Sequence, residues 1–307
     1  MGVDRRLSLH KLEVLSAVVR AGGVSKAAES LFVAQPVVSA HIRTLEERLG
    51  AKLFYREGRQ MHLTEAGVAV HAWAEDVLVR TRELERYLDG LQDGRQGTIV
   101  LGASMSVGSY RLPSVLTAFR GSHPDVEVRM GISDTEHAVD DVRSGAFDFA
   151  VVVAATSSDL PGLDAVGIGE DHITLVAAPD QPLAGRTLSV DDLRTLPFIE
   201  APEGIIRRTF VDRQLRGLGV VQRNVVLQLG HPEAMKRATQ DGLGVALLFR
   251  SAVQEELRAG TLCELPVEGV DLAVPVFVVA RKGKTFSPVH RALIDEIRGA
   301  MAAARPA

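Results

Sequence analysis

Between Val24 and Leu49 the chain carries an apolar rhythm that fits two short helices separated by a tight break. Val24, Ala27, Ala28 and Leu31 recur at i, i+3, i+4 and i+7, one helical stripe. The two alanines are small enough to let another helix approach closely. After Phe32-Val33-Ala34, Pro36 stands where a first helical turn tolerates proline, because its missing N–H would be unpaired there anyway. The second helix turns Val38, Ile42, Leu45 and Leu49 inward and carries Gln35, Ser39 and Arg43 at steps of four on another face. Hydrogen-bonding and cationic groups that project together are what base edges and phosphates require. An ordinary helical bundle with a solvated polar face has the same periodicity, so rhythm alone leaves the partner open.

The flanks extend this unit. Leu12, Leu15 and Val19 predict a helix over about residues 9–21 that stops at Gly22-Gly23. Lys52-Leu53-Phe54-Tyr55-Arg56 and Gln60-Met61-His62-Leu63 surround the turn Glu57-Gly58-Arg59, a two-stranded wing. Arg56 and Arg59 suit phosphates or the minor groove, although solvated surface charge is the plainer reading of any arginine. From Thr64 to Gln92 no proline intervenes, and a long helix is expected. Val70, Trp73, Val77, Leu84, Tyr87 and Leu91 fall at three- and four-residue steps, with Arg80 in the one polar slot. That is a seam for pairing with another helix, on a rod of roughly 40 Å. Packing against the chain's own body is the alternative.

With 307 residues, two or three domains are expected. The net charge of −4 is unevenly spread. Residues 1–62 hold ten lysines and arginines against six acids, and the remainder holds 25 against 33, so a basic head precedes an acidic body. The start MGVDRRLSLHK lacks a signal-peptide core, Arg6 breaks a myristoylation motif, and no apolar run is long enough to span a membrane. A cytoplasmic protein without membrane contact is expected. Cys263 is the only cysteine, which excludes an internal disulfide and a cysteine-built metal cluster. Its apolar flanks suit a buried, unreactive thiol.

Residues 9–67 resemble the N-terminal domain of LysR-type transcriptional regulators. The resemblance rests on Val18-Val19-Arg20-Ala21-Gly22-Gly23, Ala27-Ala28-Glu29-Ser30-Leu31 and Gln35-Pro36-Val37-Val38-Ser39-Ala40-His41-Ile42. It continues through Leu45-Glu46-Glu47-Arg48-Leu49-Gly50, Leu53-Phe54-Tyr55-Arg56 and Leu63-Thr64-Glu65-Ala66-Gly67. Gly23 replaces the family's usual capping serine, and Ala40 stands where a basic residue often follows the recognition-helix serine. The resemblance implies DNA contacts from Gln35, Pro36, Ser39, His41 and Arg43 on the recognition helix and from Arg56 and Arg59 on the wing. It also implies a dimerising linker helix, with a homodimer or homotetramer on an interrupted palindrome of promoter DNA and RNA polymerase as a further candidate partner.

Beyond the polar hinge at 93–97, strand and helix signals alternate, which implies an open α/β fold. Strands are expected at 98–102, 126–130, 148–153, 173–178, 198–200, 225–229, 245–249 and 274–280. The segment 103–108 reads as a loop. Arg111-Leu112-Pro113, Ser144-Gly145-Ala146-Phe147-Asp148, Pro182-Leu183-Ala184 and Asp241-Gly242-Leu243-Gly244-Val245-Ala246 resemble the LysR-type effector domain, a two-lobed fold like that of periplasmic binding proteins. The expected division is a winged helix-turn-helix over 1–63, a linker helix over 64–92, lobe I over 98–171 and 271–307, and lobe II over 172–270.

In such lobes ligands sit outside the carboxyl ends of strands, against helix N-termini. Ser104, Ser106, Ser133 and Thr135 follow early strands, and Arg207 and His231 occupy corresponding places later. Ser104 and Thr135 match positions where the resemblance implies effector contacts. With Arg207 and Arg208 nearby, a small anion is the expected effector. Helix capping is the alternative for each hydroxyl. No HExxH, no G-x-S-x-G and no complete P-loop is present, so neither catalysis, metal nor cofactor is expected. A DNA-binding architectural protein whose C-terminal domain serves only oligomerisation is the competing function.

Overall fold

The computed structural model describes residues 7–58, 60–92 and 97–302, without the side chains of 86, 87 and 89–92. Two compact units divide at Asp93 and Gly94. In the first, α1 (Leu9–Ala21), α2 (Val24–Ser30) and α3 (Gln35–Leu49) precede the hairpin β1 (Phe54–Glu57) and β2 (Gln60–Leu63), and α4 (Glu65–Gln92) follows. Leu15, Ala27, Val38, Leu45, Leu53 and Ala74 are wholly buried, so all four helices and the wing share one core. The alanines of α2 do lie in that core. Pro36 occupies the first turn of α3.

The Leu63–Gly67 motif has a local cause. Thr64 Oγ1 accepts from the Gly67 amide at 2.9 Å and donates to the Lys52 carbonyl at 2.6 Å, capping α4 while holding it to the segment that leads into the wing. A β-carbon on Gly67 would lie 2.0 Å from the Leu53 carbonyl oxygen, so only glycine allows this approach. Glu46 fixes the wing from the other side. Its carboxylate accepts the Leu53 amide at 2.9 Å and pairs with Lys52 Nζ at 2.7 Å. Burial opposes its charge, but the Lys52 ammonium and the backbone amides outweigh burial and hold the carboxyl below its ordinary range.

The second unit begins with β3 (Gly97–Ser104). A π-helical turn over Val107–Arg111 leads into α5 (Leu112–Ser122), then β4 (Val126–Ser133), α6 (Thr135–Ser144), β5 (Phe149–Val153) and β6 (Leu163–Ala177). There follow β7 (Pro197–Glu200), α7 (Ile206–Gly217), β8 (Asn224–Gln228), α8 (Pro232–Gln240), β9 (Ala246–Phe249) and α9 (Arg250–Ala259). The short β10 (Cys263–Glu264), β11 (Ala273–Arg281) and α10 (Pro288–Ala302) complete the chain. The order β6-β11-β5-β3-β4 forms one lobe, with β3, β4 and β5 mutually parallel and β11 antiparallel. The far half of β6 leaves β11 after His172 and pairs instead with β9 and β10 in the second lobe, where β7 and β8 form a parallel pair. Thus β6 crosses between the lobes and β11 returns the chain to the first, and the fold is the two-lobed α/β class.

Three expectations need correction. The strand foreseen at 173–178 begins ten residues earlier, at Leu163. Gly167 and Gly169 disguised it; an extra residue, Ile168, bulges there against Val276 and Phe277, with Gly169 at φ +154 under the Met301 backbone. The loop foreseen at 103–108 is strand to Ser104 and helical from Met105, because the chain passes directly into the π turn. Finally, α9 and β10 form where the sequence predicts no element. Cys263 is half-buried, its thiol directed to the Ala178 carbonyl, and burial pushes its pKa up. Among the described residues, no helix is long and apolar enough to cross a membrane.

Candidate functional site

On α3, Gln35 Nε2 donates to Ser39 Oγ at 3.1 Å and Arg43 Nε reaches Glu47 at 2.8 Å, so these residues form one outward polar strip. A groove of about 290 Å³ runs between α3 and the wing and is lined by Ser39, Arg43, Lys52, Tyr55 and Arg56 among others. The sequence-predicted Gln35, Pro36, Ser39, Arg43 and Arg56 therefore lie on or beside one face. His41 does not share the strip. Its ring packs edge-on against His10 of α1, 5.0 Å between centroids, and desolvation foremost, then His10 and Lys11, lowers its pKa. Arg59 lies outside the described residues. Lys52, which sequence reading did not single out, joins the groove through its pairing with Glu46.

The linker seam is divided. Val70 and Val77 pack on the unit's own core, because α4 lies against α1. Trp73 (46 % exposed) and Leu84 (57 %) face outward, and Leu88 (46 %), not foreseen, joins them. The side chains of Tyr87 and Leu91 lie outside the described residues.

The effector residues are largely reassigned. Ser104 is buried, and its Oγ accepts the Val153 amide at 3.2 Å. Thr135, also buried, donates to the Val153 carbonyl at 3.0 Å. Together these hydroxyls satisfy the backbone N–H and C=O of Val153, the last residue of β5, a strand end that would otherwise bury unpaired polar groups. Ser133 Oγ turns back to the Asp134 carbonyl at 3.2 Å, and Asp134, not Ser133, caps α6. His231 caps α8, its Nδ1 accepting the Glu233 amide at 3.3 Å. Ser106 Oγ is buried without a hydrogen-bond partner.

Arg207 is a clear correction. Its guanidinium lies inside lobe II against the Leu247 carbonyl and Met235 sulfur, and burial lowers its pKa to about 10. Arg208 is bound into a network with Glu200, Asp212 and Arg223. Neither cation is available to a ligand.

A cavity of about 370 Å³ nevertheless opens between the lobes. Thr135, Glu136, Arg143 and Leu160 line one side, and Ile206, Thr209, Phe210 and Arg213 of α7 the other. Both arginines are exposed; Arg143 donates to Asp140 and the Pro161 carbonyl, and Arg213 projects from α7. Elsewhere the lobes are clasped. Tyr110 of the π turn donates to Glu233 of α8 at 2.6 Å, beneath the buried Lys236, and Arg111 lies 4.0 Å from the buried Asp171, which accepts from Ser251 at 2.5 Å. Sequence reading missed α7's Phe210 and Arg213. Their signal was the stripe Ile206, Phe210, Arg213 at i, i+4 and i+7.

A winged helix-turn-helix followed by a two-lobed unit with a cleft defines a ligand-responsive DNA-binding regulator. Two family models match: "Bacterial regulatory helix-turn-helix protein, lysR family" over residues 9–68 and "LysR substrate binding domain" over 92–302. The chain belongs to the LysR-type family of transcriptional regulators, which are not enzymes. Curated relatives include a "Probable RuBisCO transcriptional regulator" of Trichormus variabilis, 31 % identical over 298 residues, covering 96 % of this chain and 88 % of the relative. Its counterpart in Thalassiosira pseudonana is 32 % identical over 278 residues, covering 89 % and 91 %. Among solved structures, an OxyR C206 mutant of Corynebacterium glutamicum aligns with TM-score 0.61 at 23 % identity, covering 98 % and 93 %. The full-length LysG of the same organism, with bound effector Arg, aligns at 0.59 and 20 %, covering 98 % and 100 %. These two likenesses concern the fold. The chain is thus a DNA-binding regulator with an effector domain, of a family that acts as oligomers.

Proposed function

We propose that this regulator docks α3 in the major groove through Gln35, Ser39 and Arg43, with Arg56, Lys52 and Arg59 directed to phosphates. In this reading residues 1–63 bind promoter DNA, 64–92 dimerise, and the lobes over 98–171 with 271–307 and over 172–270 sense the effector. The assembly is a dimer or tetramer in the cytoplasm, and RNA polymerase is its further contact on the promoter.

The effector bears an anionic group. The observation that carries this reading is Arg213, an exposed cation on the wall of the cleft cavity, next to the apolar surfaces of Ile206 and Phe210. Glu136 and Asp159 line the same cavity, so the far end of the ligand carries a hydrogen-bond donor such as a hydroxyl or ammonium. A small hydroxy or amino carboxylate has this form. A stability screen of such carboxylates against the full-length protein tests it, because a ligand of the native state raises the melting temperature by mass action. Arg213→Ala should weaken the hit by roughly tenfold, the worth of about 1.5 kcal/mol for a charged hydrogen bond. A response confined to neutral or purely cationic compounds would remove the anionic group from the reading. The architectural alternative requires no response at all.

A further inference from the structure

A second cavity, of about 310 Å³, shares no lining residue with the cleft. That size is at the small end of ligand pockets, roughly 300–1,000 Å³. One wall is β6 from His172 to Leu175, and the other is the connection from Glu264 to Leu272 that leads into β11. The first carries the chain out of lobe I and the second brings it back. They are joined where they cross, the Ile173 amide donating to the Leu272 carbonyl at 2.9 Å. Ile173, Leu175, Leu247, Leu265 and Leu272 are buried and give the cavity an apolar floor. Its polar groups stand in pairs. Glu264 accepts from Thr174 at 2.5 Å and is paired with Arg250, so that arginine's charge is already met. Asp271 pairs with the imidazole of His172 at 3.2 Å, and its side chain is 78 % exposed at the mouth.

We propose that this cavity is a second small-molecule site, one that takes an apolar body bearing a single ammonium group. The floor supplies affinity for the body, because binding removes apolar surface of both partners from water. The lining sets the charge. Two carboxylates and one arginine line the cavity, and the arginine is spent on Glu264. An anion would meet Asp271 and Glu264 beside a cation already neutralised. An ammonium instead donates to the Asp271 carboxylate at the mouth, in contact with water, while the apolar end lies on the leucines. The site is independent of the anionic reading of the cleft, and the two ligands are opposite in sign. Because its walls are the two segments that join the lobes, a bound molecule braces them against each other.

The full-length chain is titrated with phenethylamine, phenethyl alcohol and hydrocinnamate, probes of similar shape and different charge. Calorimetry gives the affinities, and amide hydrogen exchange read by mass spectrometry locates the contact. The amine should bind most tightly and slow exchange over residues 172–175 and 264–272. Asp271→Asn should weaken the amine about two- to fivefold, the worth of an exposed ion pair, and leave the alcohol unchanged. Val270→Phe puts a ring into the cavity from its half-buried wall and should abolish binding of both. If that variant melts well below the parent, the exposed Asp271→Asn decides alone. An amine that binds Asp271→Asn like the parent, or binds the parent no better than the alcohol or the carboxylate, would overturn the ammonium assignment. The site itself falls if no probe binds, or if a stable Val270→Phe protein keeps full affinity. It falls equally if protection is confined to the cleft walls at 135–143 and 206–213.

Discussion

Replacing Tyr110 by phenylalanine removes one oxygen from the clasp between the lobes and leaves the rest in place. The phenol donates to Glu233 at 2.6 Å, and burial foremost, then Glu233, raises its pKa, so it stays protonated through neutral pH. Lys236 still lies over the ring, 5.4 Å from its centroid, and still pairs with Glu233 at 2.8 Å. The loss is thus one charge-assisted hydrogen bond, about 1.5–3 kcal/mol for a buried carboxylate. The Glu233 side chain is 51 % exposed, so water replaces part of that bond and about 1 kcal/mol is expected. In a unit of this size that lowers the melting temperature by about 2–4 °C. Scanning calorimetry of the full-length protein reads it. Lys236→Met provides the scale, since it leaves Glu256 without its partner inside the lobe and should cost about 3 kcal/mol. A Tyr110→Phe protein that melts with the parent, beside a Lys236→Met protein that does not, would refute the clasp.

Gly67→Ala should destabilise the DNA-binding unit by about 1–3 kcal/mol or more, because the new β-carbon meets the Leu53 carbonyl at 2.0 Å; thermal unfolding and operator affinity should both register it. Leu84→Asp with Leu88→Asp places charge on outward positions of α4, so sedimentation of the full-length chain should shift to a smaller species with little loss of monomer stability. An unchanged assembly would locate the interface elsewhere. Glu46 has a lowered pKa in the folded state, so its contribution is present above the ordinary carboxyl range and is lost as pH falls through the folded value. Glu46→Gln should therefore flatten the acid limb of stability against pH, and an identical acid limb in both proteins would contradict this.

The helix-turn-helix was legible in sequence because its helices pack at close range within about sixty residues, which restricts the size allowed at buried positions such as Ala27, Ala28 and Val38. Thr64 and Gly67 show the same compression, one as a cap and the other as a close approach. The linker was only half legible. A three-and-four rhythm marks apolar residues but not whether they meet the chain's own α1, as Val70 and Val77 do, or face outward like Trp73, Leu84 and Leu88. In the second unit, a glycine bulge concealed the strand that crosses between lobes. The hydroxyls of Ser104 and Thr135 could not be assigned by position, since a strand end and a ligand make the same demand for hydrogen bonds; here the Val153 peptide takes them. Arg207 misled for a related reason. Its long stem lets the cation turn inward to a carbonyl on β9, and nothing in sequence announces that carbonyl.

In the proposed docking, α3 reads promoter DNA through Arg43. The affinity of the full-length parent and of Arg43→Ala is measured across a salt series for an operator duplex that the parent selects from a random pool and for a random duplex. A bidentate contact to guanine is worth about 1–3 kcal/mol of discrimination, so Arg43→Ala should lose several- to more than a hundredfold on the operator and much less on the random duplex. Equal affinities of the two proteins on both duplexes, at every salt concentration, would place the base contacts on another element.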